Sequence, residues 1–187
     1  MLSRMNCYIL IGGRSRRMGA SKSALFLDRV VAAAMPVFDA VMAAHRSDGD
    51  APASIPTLFE EPHEEEAAVF GVLRVLRDAR APCFILAVDY PLITTDVLRY
   101  LRDRGGVPVW NGHMQPLCAV WQPSVLPRIE QRIADGFYDL HGAIEQEIIP
   151  ESELRARFPG EPLMNVNTPE ELQEAERIHG QGFLPSR

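Results

Sequence analysis

Cys7-Tyr-Ile-Leu-Ile-Gly-Gly-Arg-Ser-Arg-Arg-Met-Gly-Ala-Ser-Lys22 is the stretch that decides the fold. Cys7 to Ile11 is a short, unbroken apolar run, which suits a strand buried on both faces, and Gly12-Gly13 stops it. The strand therefore delivers a loop at its carboxyl end. That loop carries Arg14, Arg16, Arg17 and Lys22. Glycines let backbone N–H groups approach phosphate oxygens, and the cations balance the charge of a polyphosphate. The spacing is neither Gly-x4-Gly-Lys-Ser/Thr nor Gly-x-Gly-x-x-Gly, so this is neither a Walker A loop nor a dinucleotide fingerprint. The competing reading is an exposed loop with solvated arginines.

Outward from this loop, the rest of the chain alternates strands and helices. Leu27 to Met35 reads as a helix ended by Pro36, Val37 to Ala44 as a second strand, and Ile55 to Phe59 as a third. The acidic run Glu60, Glu61, Glu64, Glu65, Glu66 precedes a helix from about Ala67 to Arg80, whose Val69, Phe70, Leu73 and Leu76 share one face. Cys83 to Val88 is a second strongly apolar strand, stopping at Asp89-Tyr-Pro91. Thr94 to Asp96 supplies caps for a helix reaching Arg104. Strands follow at Val107 to Asn111 and Gln115 to Trp121, as a hairpin or as bridged neighbours, with helices at Val125 to Asp135 and near Leu140 to Glu147. Thr168-Pro-Glu-Glu171 combines an N-cap, proline at the first helical position and glutamate three residues after the cap, so a last helix runs from Pro169 to about His179. The expected architecture is α/β: a doubly wound, mostly parallel sheet with helices on both faces, one domain over residues 1–179 and a loose tail over 180–187.

Composition narrows the partners. With 47% hydrophobic residues, the 187-residue chain has enough apolar content for one such core. A net charge of −6 argues against a general nucleic-acid binder. No run of about 18 apolar residues is present to span a bilayer, and Met1 to Asn6 leads into the first strand without a signal-peptide core, so a cytoplasmic protein is expected. Cys7, Cys83 and Cys118 each sit in an apolar stretch and read as structural thiols. Of 19 basic side chains, Lys22 is the one lysine, and it falls in the most motif-like segment of the chain.

In an open α/β sheet, ligands lie outside the carboxyl ends of the strands, which places Asp89 at the same crevice as the arginine loop. An oxygen ligand beside phosphates suits Mg2+, which takes one or two carboxylates together with substrate phosphates. A turn-capping aspartate is the alternative. Asn165 and Asn167, before the last helix, are candidate ligand contacts or ordinary capping residues. The five histidines show no metal-ligand spacing.

Taken in order, these segments resemble the molybdenum cofactor guanylyltransferases over about residues 7 to 175. Leu10-Ile-Gly-Gly-Arg-Ser-Arg-Arg-Met-Gly19 is similar to that family's Leu-Ala-Gly-Gly-x-Ser-x-Arg-Met-Gly, and Lys22 matches the lysine that closes it. Asp89-Tyr-Pro91 matches the metal-binding Asp-x-Pro, Gln115-Pro-Leu117 a Gln-Pro-Leu segment, and Asn165-Val-Asn-Thr-Pro-Glu-Glu-Leu172 the segment near the carboxyl terminus. The resemblance implies a Rossmann-like nucleotidyltransferase fold. It also implies Mg2+-dependent transfer of GMP from GTP to the terminal phosphate of molybdopterin, with release of pyrophosphate. Under it, Lys22 and Arg17 hold phosphates, Leu10, Ile11, Gly12 and Gly13 contact the nucleotide through their backbone, and Asp89 holds the metal. The acidic residue after the third strand is Glu61, with Glu60 as the neighbouring alternative. Molybdoenzymes or other cofactor-biosynthesis proteins are implied partners.

The chain departs from the pattern in several places. Ser21 stands where an aspartate is usual, Ala67-Ala-Val-Phe-Gly71 replaces Gly-Pro-Leu-Ala-Gly, the Gly-Lys-Pro-Leu after the first loop is missing, and Ala43 stands where an asparagine is sometimes found. Gly12-Gly13 and Asn165-Val-Asn167 separate the chain from the related cytidylyltransferases, which resemble Leu-Ala-Ala-Gly and Asp-x-Asp-Thr-Pro. The alternatives are another nucleotidyltransferase, of CTP or sugar-phosphate type, and a non-catalytic accessory protein of molybdoenzyme maturation.

Overall fold

The computed structural model describes residues 4–12, 22–46, 54–61, 63, 65 and 67–180. Its main sheet is formed by β1 (Asn6–Ile11), β2 (Ala40–His45), β3 (Thr57–Phe59), β4 (Cys83–Ala87) and β7 (Cys118–Trp121), in the order β3-β2-β1-β4-β7. The first four are parallel and β7 runs antiparallel to β4. Strand side chains alternate between faces. Cys7, Ile9 and Ile11 therefore enter one core, with Phe26 and Val30 of α1 (Lys22–Ala34), Val97, Leu98 and Leu101 of α3 (Thr95–Arg104), and Ala175 of α6 (Pro169–His179). Tyr8 and Leu10 enter the other, with Val69, Val72 and Leu76 of α2 (Ala68–Asp78) and Ile129 of α4 (Leu126–Ala134). Two cores separated by one sheet, with helices on both faces, make the doubly wound α/β architecture.

A second, small sheet was not anticipated. Expected strand 107–111 forms β5 (Val107–Trp110), which turns through Asn111 (φ 50) and Gly112 (φ 75) into β6 (His113–Met114). Positive φ at both central residues matches the twist of a tight hairpin, and asparagine followed by glycine tolerates it best. The expected strand 115–121 thus splits: its start is a connection, and its end becomes β7 of the main sheet. β5 also pairs in parallel with β8 (Ile148–Ile149), which is followed by α5 (Glu151–Arg157).

The helix expected near Leu140 to Glu147 is instead a single 3-10 turn at His141–Ala143. Asp139 accepts from the Gly142 N–H at 3.3 Å, and Arg128 donates to the Gly142 carbonyl at 3.0 Å. Side chains thereby take the backbone groups that a helix would pair. The Arg132 guanidinium also packs against Gly142 so closely that a Cβ there would lie 2.1 Å from its Nη1. The second strand begins three residues later than expected, because the N–H groups of Val37 and Phe38 close the end of α1 on Ala34.

The last helix follows its caps. Thr168 and Glu171 form the reciprocal capping box, Pro169 occupies the first turn, and Gly180 closes the helix at φ 74. Beyond Gly180, the expected tail lies outside the described residues. Among the described residues no helix is long and apolar enough to cross a membrane.

Cys7, Cys83 and Cys118 are free thiols with exposures of 0%, 2% and 0%. Burial pushes Cys83 up to about 12 and raises the other two thiols as well. The thiolate is the reactive form. All three are therefore expected to resist a thiol-reactive chromophore in the native protein and to react together on unfolding in guanidinium; reaction of any one within minutes under native conditions would contradict the buried placement.

Candidate active site

Strand order reverses beside β1: the chain runs outward to β2 and β3, then returns to place β4 on the other side of β1. Ligands in doubly wound sheets bind in the crevice that this reversal opens at the carboxyl ends of the strands. Leu10 and Ile11 are buried there at the end of β1, and the Leu10 carbonyl accepts from Val88 N at 3.2 Å. Gly12 is exposed, and among the described residues no atom lies within 4 Å of where a Cβ would stand. Lys22 is the first residue of α1. Gly13 and Arg17 lie outside the described residues.

Asp89 follows β4, and a buried Oδ1 belongs to its carboxylate. Its carbonyl accepts from Val166 N at 2.9 Å, which fastens the segment before α6 to the Asp89 turn. Arg29 of α1 holds the same turn by donating to the Pro91 carbonyl, and one of its guanidinium nitrogens lies 2.6 Å from Nε2 of His179 in α6. Tyr90, 2% exposed, donates its hydroxyl to Oε1 of Gln115 at 2.9 Å and accepts from the Asn165 side chain. Burial, then the nearby Cys118 and Asp89, pushes this phenol well above its ordinary range, so it stays a neutral O–H donor. Three of the segments that carry the resemblance are thus connected: Asp89-Tyr-Pro91, Gln115-Pro-Leu117 and Asn165-Val-Asn167.

Asn165 Oδ1 is buried and has no hydrogen-bond partner among the described residues. A buried polar atom left in this state is costly unless something else satisfies it. Together with the Asp89 carboxylate on the adjoining segment, it provides oxygen donors of the kind that a hard divalent cation takes. Among the described residues no group of three or more His, Cys, Asp or Glu side chains could form an all-protein metal cage. Asn167 is placed differently: it is exposed, and its N–H donates to Glu171 at 2.6 Å as part of the helix cap.

On the far side of β1, Glu60 and Glu61 part company. The Glu61 side chain is 75% exposed and pairs with Arg77 of α2 at 3.0 Å. Glu60, 9% exposed, turns in: a Cβ on Gly71 would lie 3.0 Å from its Oε1 and 3.3 Å from Leu10 Cδ2. Of the two acidic residues, the neighbouring alternative Glu60 is the one whose carboxylate packs beside Leu10, at the carboxyl end of β1. The Ala67 to Gly71 segment forms the first turn of α2 and supplies the wall opposite Leu10. Tyr90, Gly71 and His63 were not among the residues singled out from sequence. Tyr90 had a signal, lying between Asp89 and Pro91; Gly71 had one in keeping the final glycine of the replaced segment.

Comparison with known proteins identifies the family. A family model, the MobA-like NTP transferase domain, matches residues 7–148. The probable molybdenum cofactor guanylyltransferase of Aquifex aeolicus is 29% identical, over 92% of this chain and 90% of that protein. The molybdenum cofactor guanylyltransferase of Sinorhizobium fredii is also 29% identical, over 90% and 88%. Among solved structures, molybdopterin-guanine dinucleotide biosynthesis protein A from Archaeoglobus fulgidus superposes with a TM-score of 0.79 at 22% identity, covering 94% of this chain and 99% of that one. The 2-C-methyl-D-erythritol 4-phosphate cytidylyltransferase of Thermus thermophilus shares the fold with a TM-score of 0.65 at 14% identity, covering 94% and 98%. A crevice at the strand reversal, bounded by Gly12, Asp89, Asn165 and Glu60, and a family match across three quarters of its length place this chain in the MobA-like NTP transferase family, as a nucleotidyltransferase similar to the molybdenum cofactor guanylyltransferases.

Proposed function

We propose that the protein transfers GMP from GTP to the terminal phosphate of molybdopterin and releases pyrophosphate. The observation that supports this reading is the spread of chemistry along the strand ends. Glu60 and Gly71 stand at the β3 side, Gly12 at the centre, and Asp89 with Asn165 at the β4 side. Neighbouring strands are about 4.8 Å apart, so this edge spans about 14 Å from β3 to β4, room for a nucleotide lying across it. The base belongs on the Glu60 side, where a carboxylate accepts from a guanine N–H edge. The triphosphate belongs over Gly12 and the start of α1, where backbone N–H groups and the helix dipole favour negative charge; Lys22 and Arg17 are the cations assigned to its phosphates.

An oxygen of the molybdopterin phosphate attacks the α-phosphorus in line. A new P–O–P bond forms as the bond from the α-phosphorus to the bridging oxygen of the β-phosphate breaks, and the electron pair leaves with pyrophosphate. Little covalent help is asked of the protein, so positioning and charge neutralisation dominate. Asp89, with Asn165 Oδ1, would hold Mg2+, which when bound draws charge from the phosphate oxygens and the departing pyrophosphate. Tyr90 orients the Asn165 amide and, through Gln115, keeps this end of the crevice rigid. The turn that Arg29 holds fixes the direction in which Asp89 is presented.

Calorimetric titration with GTP, CTP and ATP, each with Mg2+, tests the reading. GTP is expected to bind most tightly, and Lys22→Ala is expected to weaken it by about tenfold or more, the worth of one charge-assisted phosphate contact. Preference for CTP would move the protein to a cytidylyl acceptor, and absence of binding to all three would make it an accessory protein.

A further inference from the structure

We infer that His63 is the positioning residue that aims Glu60 at the base, so that this chain selects a purine bearing a 2-amino group through a His63–Glu60 pair braced on Phe70. The inference rests on the GTP reading above and names the source of its base selectivity.

Glu60 emerges from the end of an edge strand on a side chain with three rotatable bonds, and a carboxylate on such a stem discriminates poorly unless something fixes it. His63 does so: its Nε2 lies 3.0 Å from Glu60 Oε2. The ring is itself held at Nδ1 and on one face, and the backbone that carries it is held as well. Nδ1 contacts the Glu65 carbonyl at 2.5 Å, the ring face stacks on Phe70 at 3.8 Å between centroids and 18° between planes, and Arg46 donates to the His63 carbonyl at 3.1 Å. Both ring nitrogens thus face oxygen acceptors. Oε2 of Glu60 is occupied by this contact, whereas Oε1, lying over Gly71 and beside Leu10, makes no hydrogen bond to a described residue. One oxygen is anchored, and the other lies between Gly71 and Leu10, at the carboxyl end of β1.

Phe70 explains why the turn departs from the glycine-rich pattern. One of its faces is covered by His63, and Tyr138 packs near it at 5.7 Å, so the ring is a platform for the histidine. Gly71 leaves room for the presented oxygen: any larger residue there would meet Oε1 first. Selectivity follows from the chemistry of the edge. The fixed oxygen accepts from a guanine N–H, and the 2-amino group is the donor that inosine lacks.

GTP and ITP share sugar, triphosphate and every other base atom, so the ratio of their affinities isolates this contact. The wild type is expected to bind GTP at least about tenfold more tightly than ITP, the discrimination that a hydrogen bond to a charged group supports. His63→Ala is expected to bring the ratio to within about twofold of unity, with ITP affinity unchanged, and His63→Gln, whose amide can donate to Glu60, to restore most of it. Thermal melting of each variant controls for folding. A GTP/ITP ratio in His63→Ala equal to that of the wild type would overturn the inference, as would a wild-type ratio near one; in both cases GTP binding itself would leave the guanylyl reading standing. Failure of the wild type to bind either nucleotide would remove both.

Discussion

Replacing Asp89 by asparagine is expected to lower turnover by at least about a hundredfold, since Lewis-acid stabilisation by a bound metal contributes several kcal/mol to phosphoryl chemistry and each 1.36 kcal/mol is a factor of ten. The substitution keeps the size of the side chain and one carbonyl oxygen but removes the charge. The backbone contacts that carry the turn, from Val166 to the Asp89 carbonyl and from Arg29 to the Pro91 carbonyl, do not involve the side chain and persist. Thermal melting of the variant controls for folding, and GTP binding measured without Mg2+ is expected to change little. Pyrophosphate release with GTP, Mg2+ and molybdopterin is the assay. Turnover in Asp89→Asn within a factor of three of the wild type would take Asp89 out of the metal site, whatever its place in the crevice.

What could be read before the fold was seen depended on how local each signal was. The apolar runs Cys7 to Ile11 and Cys83 to Val88 needed only their own residues, and both became strands of the main sheet, the second ending one residue earlier at Ala87. The last helix announced both ends, because its capping box and its closing glycine are matters of a few adjacent side chains. Glu60 and Glu61 show the opposite case. Side chains alternate along a strand, so shifting its end by one residue exchanges the two. Leu58 packs with α2 in one core, Phe59 is exposed, and Glu60 returns to the α2 side, but this register comes from β3 pairing with β2. The failed helix at 140–147 and the two-residue strand β8 are likewise decided at a distance. Arg128 and Arg132 reach Gly142 from α4, and β8 exists only because β5 lies beside it. The convergence of Tyr90, Gln115 and Asn165 belongs to the same class: hydrogen bonds between residues far apart in sequence leave no periodicity to find.

The small sheet has its own consequence for stability, seen most directly at Trp110. This side chain is 1% exposed, donates its indole N–H to Glu161 at 2.9 Å, and lies beneath the Arg155 guanidinium at 4.1 Å. Its backbone carbonyl accepts from Gln115 Nε2 at 3.2 Å, and Gln115 in turn receives the Tyr90 hydroxyl. Trp110 thus fastens β5 to α5 on one side while its backbone holds the link to the crevice on the other. Trp110→Ala removes a large buried surface and leaves a cavity, a change that costs about 3–5 kcal/mol. For a chain of this size, that corresponds to a fall in melting temperature of about 10 °C. Trp110→Phe keeps most of the volume and the cation–π contact but loses the donor to Glu161, a carboxylate that Arg155 also contacts at 3.3 Å and that is only half buried. Its cost is therefore expected to be about 1–2 kcal/mol. Equal losses in the two variants would assign the stabilisation to the indole hydrogen bond instead of to packing. If the alanine variant melted within about 2 °C of the wild type, less than 1 kcal/mol would be involved, and the small sheet could not be the brace that holds Gln115 against Tyr90.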